Sequence, residues 1–166
     1  MKVKTISHLA LQVKDMDAML RFYRDALGFR LVCDTTYDLA LNQIHKQIPN
    51  AHGEELAGLK ATEEAFAAKA GQPWFVYLRM TDTQLLELFY ADESFDPRCN
   101  KNCSYRHLSL EVEDIDEAKR SLLDAAVTLK TDIYMGADQT KTLWITDPEG
   151  NEIELMEYTP DSLQLR

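Results

Sequence analysis

One phrase occurs at two distant places in the sequence. Residues 8–16 read HLALQVKDM, and residues 107–115 read HLSLEVEDI. In both copies apolar residues alternate with polar ones, as in a half-buried strand, and an aspartate then stands where it can cap a helix. The repeat therefore predicts two copies of one strand–helix unit, with His8 and His107 at matching positions.

A second match follows later in each half. The triplet around Glu87 reads LEL at 86–88, and the triplet around Glu154 reads IEL at 153–155. Because successive side chains of a strand point to opposite faces, each glutamate lies opposite its apolar neighbours, on the face that also carries a histidine. A solvated sheet face explains any one of these residues alone. Two imidazoles and two carboxylates at matched positions predict a divalent metal site.

The rest of the pattern predicts a β-α-β-β-β order in each half. This is an α+β fold of two paired βαβββ modules, whose curved sheets form around a metal-binding cavity. Each helix is expected to pack on the apolar face of its own sheet. Predicted strands cover residues 5–13, 29–35, 74–81, 84–90, 104–112, 128–134, 140–146 and 152–158, and predicted helices lie between Asp15 and Gly28 and over 114–126.

We expect a single domain, and the spacing of the repeat locates an insertion within it. Histidine and glutamate are 79 residues apart in the first half and 47 in the second, and 79 − 47 = 32. The excess fits a helical insertion at about 38–71, which can be a lid, a dimer contact or a solvated excursion. The predicted parts are module one (1–92), a connecting loop (about 93–103), module two (104–160) and a C-terminal tail (161–166).

Composition limits the classes of binding partner and the cellular compartment that we expect for this protein. The formal net charge is −10 and there is no run of Lys or Arg, which argues against nucleic acid or an anionic membrane surface as a partner. The N-terminus lacks the long apolar run of a signal peptide or membrane span, so we expect a cytoplasmic protein. The cysteines, Cys33, Cys99 and Cys103, are expected to be free thiols rather than a bridge or metal ligands.

Further motifs give the chain a family resemblance. The sequence reads FYxxxLGF at 22–29 and DPEGN at 147–151, just before Glu154. Together with the two repeated phrases, these motifs resemble the vicinal oxygen chelate superfamily, which includes glyoxalase I, methylmalonyl-CoA epimerase, extradiol dioxygenases and fosfomycin-resistance proteins. The resemblance covers about residues 3–158, apart from the insertion and the connecting loop.

The order His-Glu-His-Glu resembles that of glyoxalase I. The resemblance implies a metal-dependent lyase or isomerase, like lactoylglutathione lyase, that moves a proton between adjacent carbons through an enediolate. His8 and His107 would hold the ion, Glu154 would be the catalytic base and Glu87 the complementary group. Nickel, cobalt, manganese or zinc is expected ahead of iron. The family also implies a homodimer with a small-molecule substrate, and the site can form within one chain or across the dimer.

Two positions depart from the glyoxalase I pattern. Gln12 stands where an arginine that pairs with glutathione is usual, and Ala91 stands where an asparagine is usual. These departures favour a small hydroxy-carbonyl compound, such as a sugar or its phosphate, or another thiol adduct over the glutathione adduct. An extradiol-type dioxygenase and a non-catalytic small-molecule-binding resistance protein are the alternatives. We expect solvated side chains at His45, His52, Arg21, Arg24, Arg79 and Arg106. We expect core packing at Trp74 and Trp144.

Overall fold

A computed structural model describes residues 1–95 and 105–165 of the chain. The chain forms two compact units. The first comprises Met1–Gln12 and Arg30–Tyr90, and the second comprises Val13–Phe29 and the described residues of Ala91–Arg166. Each unit contains one four-stranded sheet. The α+β class and the repetition of the four-stranded module are confirmed.

The first sheet consists of β1 (His8–Val13), β2 (Arg30–Thr36), β3 (Pro73–Arg79) and β4 (Leu85–Tyr90), and their order across the sheet is β1-β4-β3-β2. Strand β3 pairs antiparallel with β2 on one side and with β4 on the other. Exposed residues alternate with partly or fully buried ones along β1, as the sequence predicts, whereas the inner strand β4 is buried along much of its length.

The second sheet consists of β5 (Leu108–Glu111), β6 (Tyr134–Met135), β7 (Lys141–Thr146) and β8 (Glu152–Glu157). Their order across the sheet is β5-β8-β7-β6, in which β5 is parallel to β8 and the other pairs are antiparallel. Its core includes Leu143, Ile145 and Ile153, which are fully buried. The helix α4 spans Ile115–Asp124 and is capped by Asp114. The side chain of Asp114 accepts a hydrogen bond from Glu117 N, as expected for an N-cap.

The predicted helix of the first half is α1 (Met16–Leu20), which continues as a π-helical segment over Arg21–Ala26. Asp15 caps it by accepting a hydrogen bond of 2.9 Å from Ala18 N. Gly28 ends it with a φ of 75°, a conformation that a residue with a side chain rarely adopts.

Helix α1 belongs to the second unit, a placement that the sequence pattern does not predict. Hydrogen bonds explain this placement. Glu149 Oε1 accepts from Lys14 N at 2.7 Å and from Asp15 N at 2.8 Å. Tyr23 also donates to Asp147, so the DPEGN turn holds α1.

The insertion between β2 and β3 is confirmed as helical. It contains α2 (Tyr37–Gln47), a short 3-10 turn (Ile48–Asn50) at Pro49 and α3 (Gly53–Ala67). The rings of Tyr37, Phe66 and Trp74 pack together with centroid distances of 5.2–5.6 Å, so the insertion is anchored to β3 by aromatic contacts.

The predicted strand over 128–134 is largely wrong. Only Leu129 forms an isolated bridge there, and β6 starts at Tyr134. Lys130 N and Thr131 N both donate to the carbonyl of Trp144, so the backbone meets β7 at one point rather than along a strand. Side chains add two further bonds, since Thr131 Oγ1 accepts from Trp144 N and Asp132 Oδ1 accepts from Ile133 N.

The structure tests the expectations about free thiols and membrane spans only for the residues that it describes. Cys33 is a free thiol, whereas Cys99 and Cys103 lie outside the described residues. Within residues 1–95 and 105–165, no helix combines the length and apolar character needed to cross a membrane.

Candidate metal centre

The first unit brings His8 and Glu87 together. His8 opens the edge strand β1, and Glu87 lies in β4, the strand next to it in the sheet. His8 Nε2 is 3.6 Å from Glu87 Oε2, with 43% of the histidine side chain and 9% of the glutamate side chain exposed. The exposed imidazole can bind a cation that arrives from solvent, while the almost buried carboxylate stays fixed beside it.

Tyr77 borders this pair and was not singled out by the sequence pattern. It lies opposite Glu87 in the β3–β4 pairing, and its ring meets the ring of His8 edge-on at 6.1 Å. Burial raises the pKa of Tyr77 to about 12, and a hydrogen bond with Glu87 and the charge of that carboxylate add to the rise. The phenol is therefore protonated at neutral pH and can donate to Glu87.

The second unit brings His107 and Glu154 together in the same way. His107 directly precedes β5, and Glu154 lies in β8, opposite Ser109 of β5. His107 Nε2 is 3.4 Å from Glu154 Oε2, with 35% of the histidine side chain and 15% of the glutamate side chain exposed. Each half of the repeat thus has a His–Glu pair with an accessible imidazole and a mostly buried carboxylate.

Two residues of β7 support the second pair. Thr142 Oγ1 donates a hydrogen bond of 3.0 Å to Glu154 Oε1. The ring of Trp144 meets that of His107 edge-on at 4.8 Å, and Trp144 Nε1 donates to Tyr134 Oη at 2.9 Å. Trp144 is half-buried and lies opposite Glu154, so it borders the second His–Glu pair as well as packing in the sheet. Trp74 is also half-buried and packs among aromatic rings, as expected.

A sequence signal for these neighbours does exist. Tyr77 and Glu87 are ten residues apart (87 − 77), and so are Trp144 and Glu154 (154 − 144). Because both hairpins keep this spacing, the two aromatic residues occupy the same position across from the two glutamates. Extending the repeat comparison to the third strand of each half would have found them.

The donor atoms suit a divalent cation. Two donors held about 2.1 Å from a shared ion at a tetrahedral angle are ~3.4 Å apart, close to both observed N–O separations. The residues that the structure describes contain no group of three or more His, Cys, Asp and Glu that could hold a metal. The centre of four ligands, His8, Glu87, His107 and Glu154, therefore stays a prediction, as does the cavity around it.

The DPEGN turn supports the hairpin that carries Glu154. Asp147 is buried and accepts hydrogen bonds from Glu149 N, Asn151 N, Asn151 Nδ2 and the hydroxyl of Tyr23. Burial raises the pKa of Tyr23 well above its ordinary value, and the charge of Asp147 raises it further. This motif is part of the scaffold rather than of the chemistry.

The histidines of the insertion have other surroundings. His45 lies in α2, and its Nε2 is 2.8 Å from Glu63 Oε1 of α3. His52 occupies the N-cap position of α3 without a side-chain capping bond. Both are exposed, in keeping with the solvated role expected from the sequence.

The two positions that depart from the glyoxalase I pattern both carry uncharged residues. Gln12 is exposed on β1, and Ala91 follows β4 directly. Two of the arginines that could supply a compensating charge are engaged locally: Arg24 pairs with Asp25, and Arg79 Nη1 donates to the carbonyl of Asp82.

The second unit also contains a cavity of about 410 Å³. Its lining includes Ala18, Arg21 and Phe22 of the α1 region together with residues 125–128 and 146–148. Neither His107 nor Glu154 lines it. It is therefore separate from the second His–Glu pair.

The comparison with known families decides the classification. Residues 5–155 match the model of the Glyoxalase/Bleomycin resistance protein/Dioxygenase superfamily. The chain belongs to this superfamily. Since its members include enzymes of different reaction types, membership alone leaves the activity of this superfamily protein open. Among curated proteins, none matches the chain in sequence.

Solved structures of superfamily members resemble the chain over nearly its whole length. A glyoxalase family protein from Enterococcus faecalis is 21% identical with a TM-score of 0.63, covering 93% of this chain and 98% of its own. A lactoylglutathione lyase from Agrobacterium tumefaciens is 19% identical with a TM-score of 0.57, covering 95% and 96%. At this level of identity the likeness establishes the shared vicinal oxygen chelate fold.

Proposed function

We propose that this superfamily member is a metal-dependent lyase or isomerase of the glyoxalase I type. The observation that carries the proposal is the repeated His–Glu contact, 3.6 Å between His8 and Glu87 and 3.4 Å between His107 and Glu154. A solvated sheet face gives no reason to repeat this pair, since water would satisfy either side chain alone. A shared cation does, because both residue types are ligands that such ions prefer.

All four residues would hold the ion, the histidines through Nε2 and the glutamates through a carboxylate oxygen. When bound, the ion would polarise the carbonyl or hydroxyl oxygen of the substrate and favour removal of a proton from the neighbouring carbon. The donor set suits nickel, cobalt, manganese or zinc.

Glu154 is the proposed general base, and Glu87 is the complementary group. Thr142 engages Oε1 of Glu154, so Oε2, which lies 3.4 Å from His107 Nε2, would be the atom that holds the ion and that takes the proton once the substrate has displaced the carboxylate from the ion. Glu154 would remove the proton from one carbon of the substrate and return it to the adjacent carbon, which conserves all atoms and needs no oxidant. The larger exposed fraction of Glu154, 15% against 9% for Glu87, supports this choice.

The substrate is proposed to be a small hydroxy-carbonyl compound or a thiol adduct other than that of glutathione. Gln12 and Ala91 remove the charged fork and the amide that a glutathione adduct would meet in glyoxalase I. A neutral amide at position 12 is compatible with a smaller, less acidic substrate.

Metal uptake and turnover test the proposal directly. Purified protein freed of metal by a chelator should take up nickel, cobalt, manganese or zinc, measured by calorimetry. His8→Ala should weaken uptake, and Glu154→Gln should lower turnover about 10²- to 10⁴-fold while the circular dichroism spectrum stays unchanged. Glu152→Gln is the matched control, because Glu152 lies on the same strand but pairs with Lys130.

The outcomes separate the candidate functions. Failure of folded protein to take up any of these ions contradicts the proposal. Oxygen consumption with a catechol and iron would support an extradiol dioxygenase instead. Retention of small-molecule binding by both variants, without turnover, would support a sequestering protein.

We further propose that the active form is a cytoplasmic homodimer, and a mixing experiment tells whether its site crosses the subunits. If His8 and Glu154 of one site come from different chains, mixed dimers of His8→Ala and Glu154→Gln contain one site with all ligands intact. Activity should then return on mixing. If each chain closes its own site, every site in the mixture stays damaged and activity stays low.

A further inference from the structure

We propose that Thr142 is a positioning residue for Glu154, an inference that rests on the proposed function. The hydroxyl of Thr142 donates to Glu154 Oε1 at 3.0 Å. Thr142 is only 3% exposed, so water has little access to replace this bond. The bond decides which carboxylate oxygen is available, because Oε2 is the atom that lies 3.4 Å from His107 Nε2.

The register of the hairpin makes this contact possible. Trp144 lies opposite Glu154, and Thr142 lies opposite Met156, so Thr142 is the diagonal neighbour of Glu154 on the same face. Diagonal neighbours on one sheet face come within reach of each other's side chains. The contact therefore follows from strand pairing and does not depend on a loop.

The first half of the repeat lacks this support. Thr142 lies twelve residues before Glu154 (154 − 142), and the residue twelve before Glu87 (87 − 12) is Phe75. Phe75 has no hydroxyl and packs against Tyr77 and Phe89. Glu87 has Tyr77 beside it instead, so the two carboxylates of the repeat are held by different chemical groups.

This difference predicts unequal roles for the two carboxylates. A hydroxyl that fixes one oxygen of Glu154 keeps the other oxygen oriented during proton transfer, as groups that hydrogen-bond to metal-ligating carboxylates commonly do. Loss of the hydroxyl should let the carboxylate rotate and should change both the ligand geometry and the affinity for the ion. The effect should arise at Glu154 and leave Glu87 unchanged.

The experiment compares Thr142→Val, which removes the hydroxyl at similar volume, with Thr142→Ser, which keeps it. Protein freed of metal is titrated with cobalt(II), and the visible absorption spectrum and the dissociation constant are recorded. We expect Thr142→Val to bind cobalt about 10- to 100-fold more weakly with an altered spectrum, and Thr142→Ser to stay near the parent.

Thr140→Val is the matched control. Thr140 is also fully buried, but its hydroxyl contacts Ser162 and Gln164 rather than Glu154. The Thr140→Val variant should therefore keep the cobalt spectrum and the cobalt affinity of the parent, even if the variant is less stable to heat. A change of equal size in Thr140→Val and Thr142→Val would overturn the inference, since general loosening of the sheet would then explain both.

The remaining outcomes are distinct. Cobalt binding by the parent with an unchanged spectrum and affinity in folded Thr142→Val overturns the positioning role alone. Absence of cobalt binding by the folded parent overturns the proposed function and this inference with it. If Thr142→Val does not fold, Thr142→Ala removes the same hydroxyl with less bulk and is measured in its place.

Discussion

The hydroxyl of Tyr23 donates a hydrogen bond of 2.9 Å to Oδ2 of Asp147. This bond joins the π-helical segment that continues α1 to the turn between β7 and β8, although the two residues are 124 positions apart in the sequence. Tyr23 is 1% exposed and Asp147 is 4% exposed, so neither partner can exchange this bond for one with water. The position of the hairpin that carries Glu154 thus depends partly on this contact.

The first prediction is that Tyr23→Phe destabilises the fold. The substitution keeps the ring but leaves a buried carboxylate with one donor fewer, which should lower the free energy of unfolding by about 1.5–3 kcal/mol. Urea denaturation at neutral pH measures the loss. Tyr37→Phe is the control, because the hydroxyl of Tyr37 has only a 3.5 Å contact with Lys69 and should change stability little. Equal stability of the two variants would contradict the prediction.

The second prediction concerns pH. A hydrogen bond from Ile115 N and, next, one from Lys141 Nζ lower the pKa of Glu157 in the folded protein. A carboxyl group whose pKa is lower when folded stabilises the fold above its unfolded pKa of about 4.3, and the stabilisation disappears as the pH falls through the folded pKa. Glu157→Gln should therefore be less stable than the parent at pH 7 and should approach it at acidic pH.

Urea midpoints measured from pH 7 down to pH 2.5 check this dependence. The difference between the parent and Glu157→Gln should be constant above about pH 5 and should shrink below it. A difference that stays the same across the whole range would show that the charge of Glu157 does not contribute.

Much of the fold could be predicted because it depends on short-range patterns. The alternation after His8 and His107 gives the first strand of each half, and the turn sequences give the hairpins. The placement of α1 in the second unit could not be predicted this way, because its apolar side does not specify the unit that it joins. That choice follows from polar contacts such as Tyr23 with Asp147, which join distant segments.

The candidate site could be predicted only at the level of the repeat. His8, Glu87, His107 and Glu154 are found because their neighbours repeat, and the structure pairs them as two His–Glu contacts. Thr142 is missed because its counterpart in the repeat is a phenylalanine, so no identity marks it. Its contact with Glu154 is recognised only when the strand register is known.

The third prediction is that Tyr77→Phe weakens the metal site without unfolding the protein. The ring remains to pack beside His8, but the hydroxyl that interacts with Glu87 is lost. Metal affinity should fall about 10-fold, as is usual when a group that orients a ligand is removed. Competition with a chromogenic chelator measures it. Tyr37→Phe should keep the parent's affinity, and an equal loss in both variants would contradict a specific role for Tyr77.

The fourth prediction uses the two tryptophans as reporters. The Trp144 ring lies 4.8 Å from the ring of His107, whereas Trp74 packs among the rings of Tyr37 and Phe66. Nickel and cobalt ions quench nearby indole fluorescence, so binding at His107 should quench Trp144 more than Trp74. The emission of Trp74→Phe should therefore fall strongly on titration with nickel, and that of Trp144→Phe should fall much less. Equal quenching in the two variants would place the ion away from His107.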